Sequence, residues 1–303
     1  MKNLFRFLIL AILTVVYVQP VFAGDVNVNG YLQTRYDAVE NGDDEASINR
    51  ARLNFWGAAA EKVSYSILVD AVTDQVLWAA YIDIDAIERI KVRVGQFKTP
   101  FSCEYLTSSD MLDTIERSNS VDSLSSKYDI GMQLEGDLSP VKCIVGVFNG
   151  EGKNVRDRND QKDYVERLEL VVSQDAQVGV SAYQGKKGVQ ENEIKRLGGN
   201  FILAHEPISI KGEYISMDDD GIDRDGYYLS FGYSVTPKYQ GVLKYDIYDP
   251  DKDVSDNKQG TLTLGLNCFL YDDVKLQGNY LFKEEEGIDV DNDEFQAQLQ
   301  VSF

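Results

Sequence analysis

Basic residues at two places in the sequence have a spacing that brings their charges to one face of a strand. Arg50 and Arg52 are separated by one residue, as are Lys91 and Arg93. Side chains alternate between the two faces of a strand, so residues two apart point in the same direction. Aligned guanidinium and ammonium groups can hold an anion by charge and by hydrogen bonds. These four residues are therefore candidates for contact with an anion.

A long segment after the second pair adds two further candidates, Lys98 and Arg117. Acids accompany all of these cations, both in that segment and on the same strand faces. The sequence thus leaves open a preference for anions, a preference for cations, or little selectivity. The segment carries Glu104, Asp110, Asp113, Glu116 and Asp122, and the strand faces carry the acids Asp70, Asp83, Asp85, Glu135, Glu169, Glu213 and Asp246 and the further cations Arg35, Arg167, Arg196, Lys211, Lys244 and Lys275.

The sequence offers few residues for enzymatic or metal chemistry. The chain has three cysteines and a single histidine, His205, which stands in the short connection "LAHEPIS" and is more typical of a turn than of a hydrolase site. The acidic stretches "DPDKD" (249–253) and "DVDND" (289–293) alternate carboxylates as calcium loops do, but neither has the glycine of such a loop. We therefore expect no enzymatic activity, no metal site and no cofactor. A formal net charge of -20 also makes nucleic acid an unfavourable partner.

Alternation of apolar and polar residues along almost the whole chain indicates the elements that carry these side chains. It is clearest in the terminal "DEFQAQLQVSF", where each apolar residue before Phe303 is followed by glutamine or serine. A period of two is typical of a strand with two unlike faces. Most stretches are about as long as a tilted strand that crosses a bilayer, roughly 9 to 11 residues. The sixteen stretches are 25–38, 46–58, 63–71, 76–86, 89–97, 128–137, 140–148, 163–173, 176–184, 194–205, 207–216, 225–235, 239–248, 258–270, 273–283 and 292–303.

Two all-β architectures can present such strands, a transmembrane antiparallel barrel and a soluble sandwich of two sheets. The barrel is favoured because the polar face recurs on all sixteen strands and includes arginine, lysine, aspartate and glutamine. Residues 1–23 have the basic start, apolar run and small-residue exit of a signal peptide, which leaves 24–303 as the barrel. Short and long connections alternate, as periplasmic turns and outer loops do in outer-membrane barrels. One long outer loop is expected at 216–226.

The connection at 98–128 is much longer than the others. Connections beyond about 15 residues are usually functional or disordered. This one contains Phe101, Tyr105, Leu106 and Ile115, which is more apolar content than a solvated tail carries. We predict that it is the third outer loop, folds into the pore and narrows it; a cap outside the barrel is the alternative.

The same region resembles a known family. The stretch "VRVGQFKTPFSCEYLTSSDMLDTIERS" (92–118) is similar to the signature region of the phosphate-selective porin O and P family of outer-membrane proteins. "INRARLNFWG" (48–57), "YDIGMQLEG" (128–136) and "VGVFNGEG" (145–152) resemble further blocks of it. The resemblance implies a trimeric channel of sixteen strands whose third outer loop forms the constriction. It also implies, for anion-selective members, a pore lined with arginine and lysine.

The function expected from these features is that of a porin in the outer membrane of a Gram-negative-type bacterium. Small hydrophilic solutes or ions, including anions such as phosphate, would diffuse through it passively. Its partners would be membrane lipid, lipopolysaccharide and two further copies of the chain. A non-conducting surface barrel, acting as an adhesin or structural protein, is the alternative, and a barrel hydrolase is a weaker one. The residues expected to set the potential near the narrow zone are Arg50, Arg52, Lys91, Arg93, Lys98 and Arg117.

Overall fold

The computed structural model describes residues 24–287 and 290–303, so the signal peptide predicted at 1–23 lies outside the described residues. The described residues form sixteen strands, each antiparallel to its neighbours, that close into one barrel. The predicted strand boundaries agree with the observed ones within three residues. The strands β1 to β16 are Asn27–Val39, Glu45–Ala60, Val63–Asp70, Leu77–Ile87, Ile90–Lys98, Tyr128–Leu138, Val141–Phe148, Asp163–Ser173, Ala176–Lys187, Asn192–His205, Ile208–Asp219, Ile222–Thr236, Tyr239–Asp249, Gln259–Tyr271, Val274–Glu285 and Glu294–Ser302.

The barrel closes between β1 and β16. The backbone N–H of Gly30 donates to the carbonyl of Phe303 at 2.8 Å, and the N–H of Phe303 donates back at 3.0 Å. On β16 the polar face is buried inside the barrel and the apolar face is exposed: Gln298 is 1% exposed and Leu299 is 42% exposed. This is the reverse of a soluble protein, and it suits a wall that meets acyl chains outside and satisfies every backbone group by pairing.

The two ends of the barrel differ. Seven two-residue turns lie at one end, which we call the turn end, and the longer connections lie at the other, the loop end. The prediction of a long outer loop at 216–226 was wrong, since β11 and β12 are joined by Asp220 and Gly221 alone. Both residues have positive φ, 55° and 88°, as a two-residue hairpin turn requires. The acidic residues around this turn belong to strand ends, and their charge had suggested a loop.

The connection between β5 and β6, residues 99–127, is called loop 3 here. It contains helix α1 (Cys103–Leu106), a 3₁₀ turn (Ser109–Met111) and helix α2 (Asn119–Leu124). Its apolar side chains are buried against inward-facing residues of the wall, which makes this contact the hydrophobic core of the molecule. The core residues of loop 3 include Phe101, Tyr105, Val121 and Leu124, and those of the wall include Phe97, Phe148, Val165, Tyr183, Ile194, Ile215, Met217 and Tyr228.

Two glycines on the inner face make room for loop 3. A Cβ on Gly198 would lie 3.3 Å from the ring of Phe101. A Cβ on Gly226 would lie 2.6 Å from the Cβ of Ser120 and 3.3 Å from the side chain of Leu124. Loop 3 therefore packs closely against β10 and β12, and the open part of the lumen lies on the other side of it. No helix in the part of the chain that the structure describes is long and apolar enough to cross a membrane.

Candidate functional site

Two carboxylates of the wall hold the beginnings of the two loop 3 helices. Glu213 on β11 accepts hydrogen bonds from the hydroxyl of Ser102 at 2.9 Å and from the backbone N–H of Cys103 at 2.9 Å. Asp246 on β13 accepts one from the backbone N–H of Asn119 at 2.6 Å. The first N–H groups of a helix have no partner within the helix, so a charged acceptor from the wall both satisfies them and fixes the loop.

Three wall lysines complete the attachment. The ammonium of Lys244 on β13 has three acceptors, all of them in loop 3. Lys275 on β15 donates to two loop 3 carbonyls, and Lys211 on β11 donates to Asp113 at 2.7 Å. The three were predicted to face the lumen, and their donors are used to hold loop 3. The acceptors of Lys244 are Glu104 Oε1, Thr114 Oγ1 and the carbonyl of Glu116, and those of Lys275 are the carbonyls of Asp110 and Leu112.

Two large cavities lie beside loop 3 in the described part of the chain. The larger, about 960 Å³, is lined by residues of the loop end, and we call it the loop-side cavity. The smaller, about 530 Å³, is lined by residues of the turn end such as Asp273 and Phe303 and is called the turn-side cavity. Arg52, Lys98 and Tyr128 line both, so they stand where the two cavities adjoin.

The two cavities differ in charge. Among the described residues, eight basic and five acidic side chains line the loop-side cavity, whereas three of each line the turn-side cavity. The loop-side cavity is therefore net positive in a chain whose net charge is -20. Its basic residues are Arg50, Arg52, Lys98, Arg117, Lys127, Lys153, Lys244 and Lys283, and its acidic residues are Asp70, Glu116, Asp122, Asp246 and Glu285.

Arg50 connects the wall to loop 3. Its Nη2 donates to Glu116 Oε2 at 2.5 Å and its Nη1 to Gln33 Oε1 at 3.0 Å. Burial acts to raise the pKa of Glu116, but the charges of Arg50 and Arg35 offset this and hold that pKa below its usual range. A guanidinium has five N–H donors, so these two bonds leave Arg50 with donors for a passing ion.

Arg52 stands deeper in the lumen. Its Nε donates to Asp70 at 2.9 Å and its Nη1 to the hydroxyl of Tyr31 at 2.9 Å. Its guanidinium carbon is 4.1 Å from the ring centroid of Trp78, which is a cation–π contact. These partners fix the side chain at the junction of the two cavities.

Lys98 and Arg117 serve the internal structure of loop 3. Lys98 Nζ donates to the carbonyls of Tyr105, Leu106 and Thr107 at 2.6, 3.3 and 3.0 Å. An ammonium has three donors, so none is left for an ion. Arg117 donates to the carbonyl of Thr107 at 2.5 Å and to that of Glu104 at 3.2 Å. Both residues line the loop-side cavity.

The pair on β5 lies toward the turn end. Arg93 is held by both oxygens of Asp83, at 2.7 and 2.8 Å, and lies 3.9 Å from the ring centroid of Tyr81. It lines the turn-side cavity. Lys91 is two residues nearer to the end of the strand and lines neither cavity. Five of the six predicted residues thus line a cavity, and Lys91 does not.

Sequence reasoning missed Lys153. This residue belongs to the connection between β7 and β8, residues 149–162, which we call loop 4. Its Nζ lies 3.7 Å from the ring centroid of Trp78 and it lines the loop-side cavity. Strand parity assigns a direction only to strand residues, so no pattern in the sequence could show that a loop lysine folds over the lumen.

Comparisons with known proteins agree with this architecture. The sequence profile described as phosphate-selective porin O and P matches residues 26–187 and 181–303. The fold is similar to that of outer-membrane expressed OmpT of Vibrio cholerae, with a TM-score of 0.68, 14% identity, and coverage of 94% of this chain and 100% of that one. It is also similar to an anion-selective porin from Comamonas acidovorans, with a TM-score of 0.66, 12% identity, and coverage of 92% and 100%. An uncharacterized protein of Aquifex aeolicus (strain VF5) is 25% identical over 280 residues, 74% of this chain and 66% of the relative's length.

Proposed function

The chain belongs to the phosphate-selective porin O and P family and is therefore an outer-membrane porin, and we propose that small hydrophilic ions diffuse through it passively, with a preference for inorganic anions such as phosphate. The observation that supports this preference is the charge of the loop-side cavity, which is net positive although the chain as a whole is strongly acidic. Charge concentrated in a cleft with walls of low dielectric constant raises the local concentration of the opposite ion.

The proposed path runs beside loop 3. Loop 3, predicted at 98–128, narrows the lumen because its core packs against one part of the wall and leaves two cavities on the other. An anion from the loop end would enter the positive cavity first and then pass Arg52, where the cavities adjoin. Neither an energy source nor a cofactor takes part in this passage.

The six residues have different roles in this proposal. Arg50 and Arg52 offer hydrogen bonds to the anion, because their contacts leave some N–H donors unused. Arg117 acts through its charge, and Lys98 and Arg117 both hold loop 3 by their hydrogen bonds to its carbonyls. Arg93 acts in the turn-side cavity, and Lys91 acts at the exit at the turn end.

The proposed assembly is a homotrimer surrounded by outer-membrane lipid and lipopolysaccharide. The trimer form solved for OmpT of Vibrio cholerae, which shares the fold, supports three copies. A barrel hydrolase is less well supported. His205, the one histidine of the chain, is exposed at the turn end, where its Nδ1 lies 2.8 Å from a carboxylate oxygen of Asp175.

The proposal is tested by reconstituting the purified chain, first into liposomes and then into planar bilayers. We expect liposomes that contain the chain to swell when a small hydrophilic solute is added outside. We expect planar bilayers to show discrete current steps, and the chloride current to fall when phosphate is added. Bilayers without conductance would refute the channel and favour the non-conducting adhesin or structural barrel. Conductance that phosphate does not reduce would refute a phosphate preference.

A further inference from the structure

We propose that Lys153 of loop 4 is an anion-binding group of the loop-side cavity, so that loop 4 as well as loop 3 determines which ions enter. This inference rests on the proposed function of the chain as a channel, and it names a residue that binds the ion there. The ligand class is the small inorganic anion, with phosphate as a member that offers several acceptor atoms.

The position of Lys153 beside a second cation is the first argument. Its Nζ is 3.7 Å from the ring centroid of Trp78, and the guanidinium carbon of Arg52 is 4.1 Å from the same centroid. One indole ring thus holds two positive charges, and all three residues line the loop-side cavity. The ring attracts each cation, but it does not neutralise either of them. Because Arg52 is paired with Asp70 at 2.9 Å, the positive charge on this ring that lacks a carboxylate partner among the described residues is that of Lys153.

The donors of Lys153 are the second argument. Within residues 24–287 and 290–303 no carboxylate lies at ion-pair distance from its Nζ and no acceptor hydrogen-bonds to it. The other lysines of the cavity differ, because Lys98 and Lys244 each have three acceptors, Lys283 pairs with Glu294 at 2.8 Å, and Lys127 pairs with an aspartate.

The electrostatic surroundings of Lys153 agree with this reading. Burial lowers the pKa of Lys153, the nearby Arg52 lowers it further, and Asp70 opposes both. An ammonium in such surroundings gains more from an anion in the cavity than a lysine that already has a carboxylate partner.

The position of Lys153 is fixed by the hydrogen bonds of the next residue, Asn154. The backbone N–H of Asn154 donates to Gln96 Oε1 at 2.6 Å, and Gln96 Nε2 donates back to Asn154 Oδ1 at 3.1 Å. Asn154 Nδ2 also donates to the carbonyl of Leu77 at 2.8 Å. Asn154 has a φ of 61°, in the left-handed region that asparagine tolerates better than most residues. These bonds attach loop 4 to β5 and to β4, the strand that carries Trp78, so Lys153 is held over the ring.

The test compares single-residue variants in planar bilayers, with inorganic phosphate as the probe. Lys153→Gln should raise the phosphate concentration that halves the chloride current about fivefold, the factor for one unit charge at contact distance in water. Lys153→Arg keeps the charge and should keep the block. Lys127→Gln is the matched control: it removes the same formal charge from the same cavity, but that ammonium is already paired with Asp122, so its effect should be smaller.

A further variant tests the position of Lys153 separately from its charge. Asn154→Ala leaves every charge in place and releases loop 4, so it should weaken the block in the same direction as Lys153→Gln. Heat-modifiable migration in detergent establishes that each variant has folded. Equal effects of Lys153→Gln and Lys127→Gln would show general electrostatics and overturn the inference, while the channel itself would stand. A wild-type chain without conductance would overturn both the channel and the inference.

Discussion

The attachment of loop 3 to the wall can be tested at Glu213. Its carboxylate accepts hydrogen bonds from the hydroxyl of Ser102 and the N–H of Cys103, both at 2.9 Å, and from the N–H of Glu104 at 3.2 Å. Glutamine keeps the shape but replaces one oxygen by an NH₂ group, which faces a donor. Glu213→Gln therefore leaves at least one buried donor without its acceptor, which costs about 2 kcal/mol. The population with loop 3 detached should then rise about 30-fold.

Limited proteolysis measures that population. Trypsin cleaves after Arg117 only when loop 3 leaves the wall, and when detachment is fast relative to cleavage the rate follows the detached population. We expect cleavage after Arg117, followed by mass spectrometry, to be about 30-fold faster in Glu213→Gln than in the wild type. Glu135→Gln is the matched control, because Glu135 is an inner-wall glutamate near the turn end of β6, 3.6 Å from Lys142, and within the described residues it has no hydrogen bond to loop 3. If both variants are cleaved at the wild-type rate, Glu213 does not hold loop 3.

Three further predictions concern charge, lipid contact and pH. Replacing Arg50 and Arg52 together by glutamate leaves six basic and seven acidic residues around the loop-side cavity, so the reversal potential in a salt gradient should move toward that of the cation; an unchanged value would remove both residues from the ion path. Leu299→Arg places a charge on the lipid-facing side of β16 and should lower the free energy of unfolding by about 2–4 kcal/mol, measured by urea titration in lipid vesicles. Because the pKa of Glu116 is lowered, its carboxylate stays charged as the pH falls through the usual glutamate range and is protonated only below it. The ion pair between Arg50 and Glu116 is therefore present above that range and is lost as the pH falls through the lowered pKa. Anion preference should rise at that pH in the wild type but not in Glu116→Gln.

The barrel could be predicted from the sequence because the pattern that specifies each strand lies within that strand's own residues. A period of two along β16 gives the strand, its two faces and its approximate ends without any knowledge of the rest of the chain. The direction of Arg50 and Arg52 follows from the same rule, and both line the loop-side cavity. The hairpin at Asp220 and Gly221 departs from the predicted long loop because the Asp-Gly dipeptide makes a two-residue turn within a highly charged stretch.

The contacts of the pore lining could not be predicted, because they join residues far apart in the sequence. Ser102 and Glu213 are 111 positions apart, and nothing local in either stretch indicates the other. The same applies to Lys98, which the sequence places at the start of the long connection and whose three carbonyl partners depend on how loop 3 folds. Lys153 is the extreme case, since it lies in a loop and its position depends on the bonds that Asn154 makes to other strands.

Single-channel recording of the purified wild-type chain in a potassium chloride gradient tests the central claim most directly, namely that a water-filled lumen beside loop 3 admits ions through a positively charged cavity. The account predicts discrete conductance steps and a reversal potential displaced toward the equilibrium potential of chloride. A membrane that remains silent, or a reversal potential displaced toward that of potassium, would contradict it.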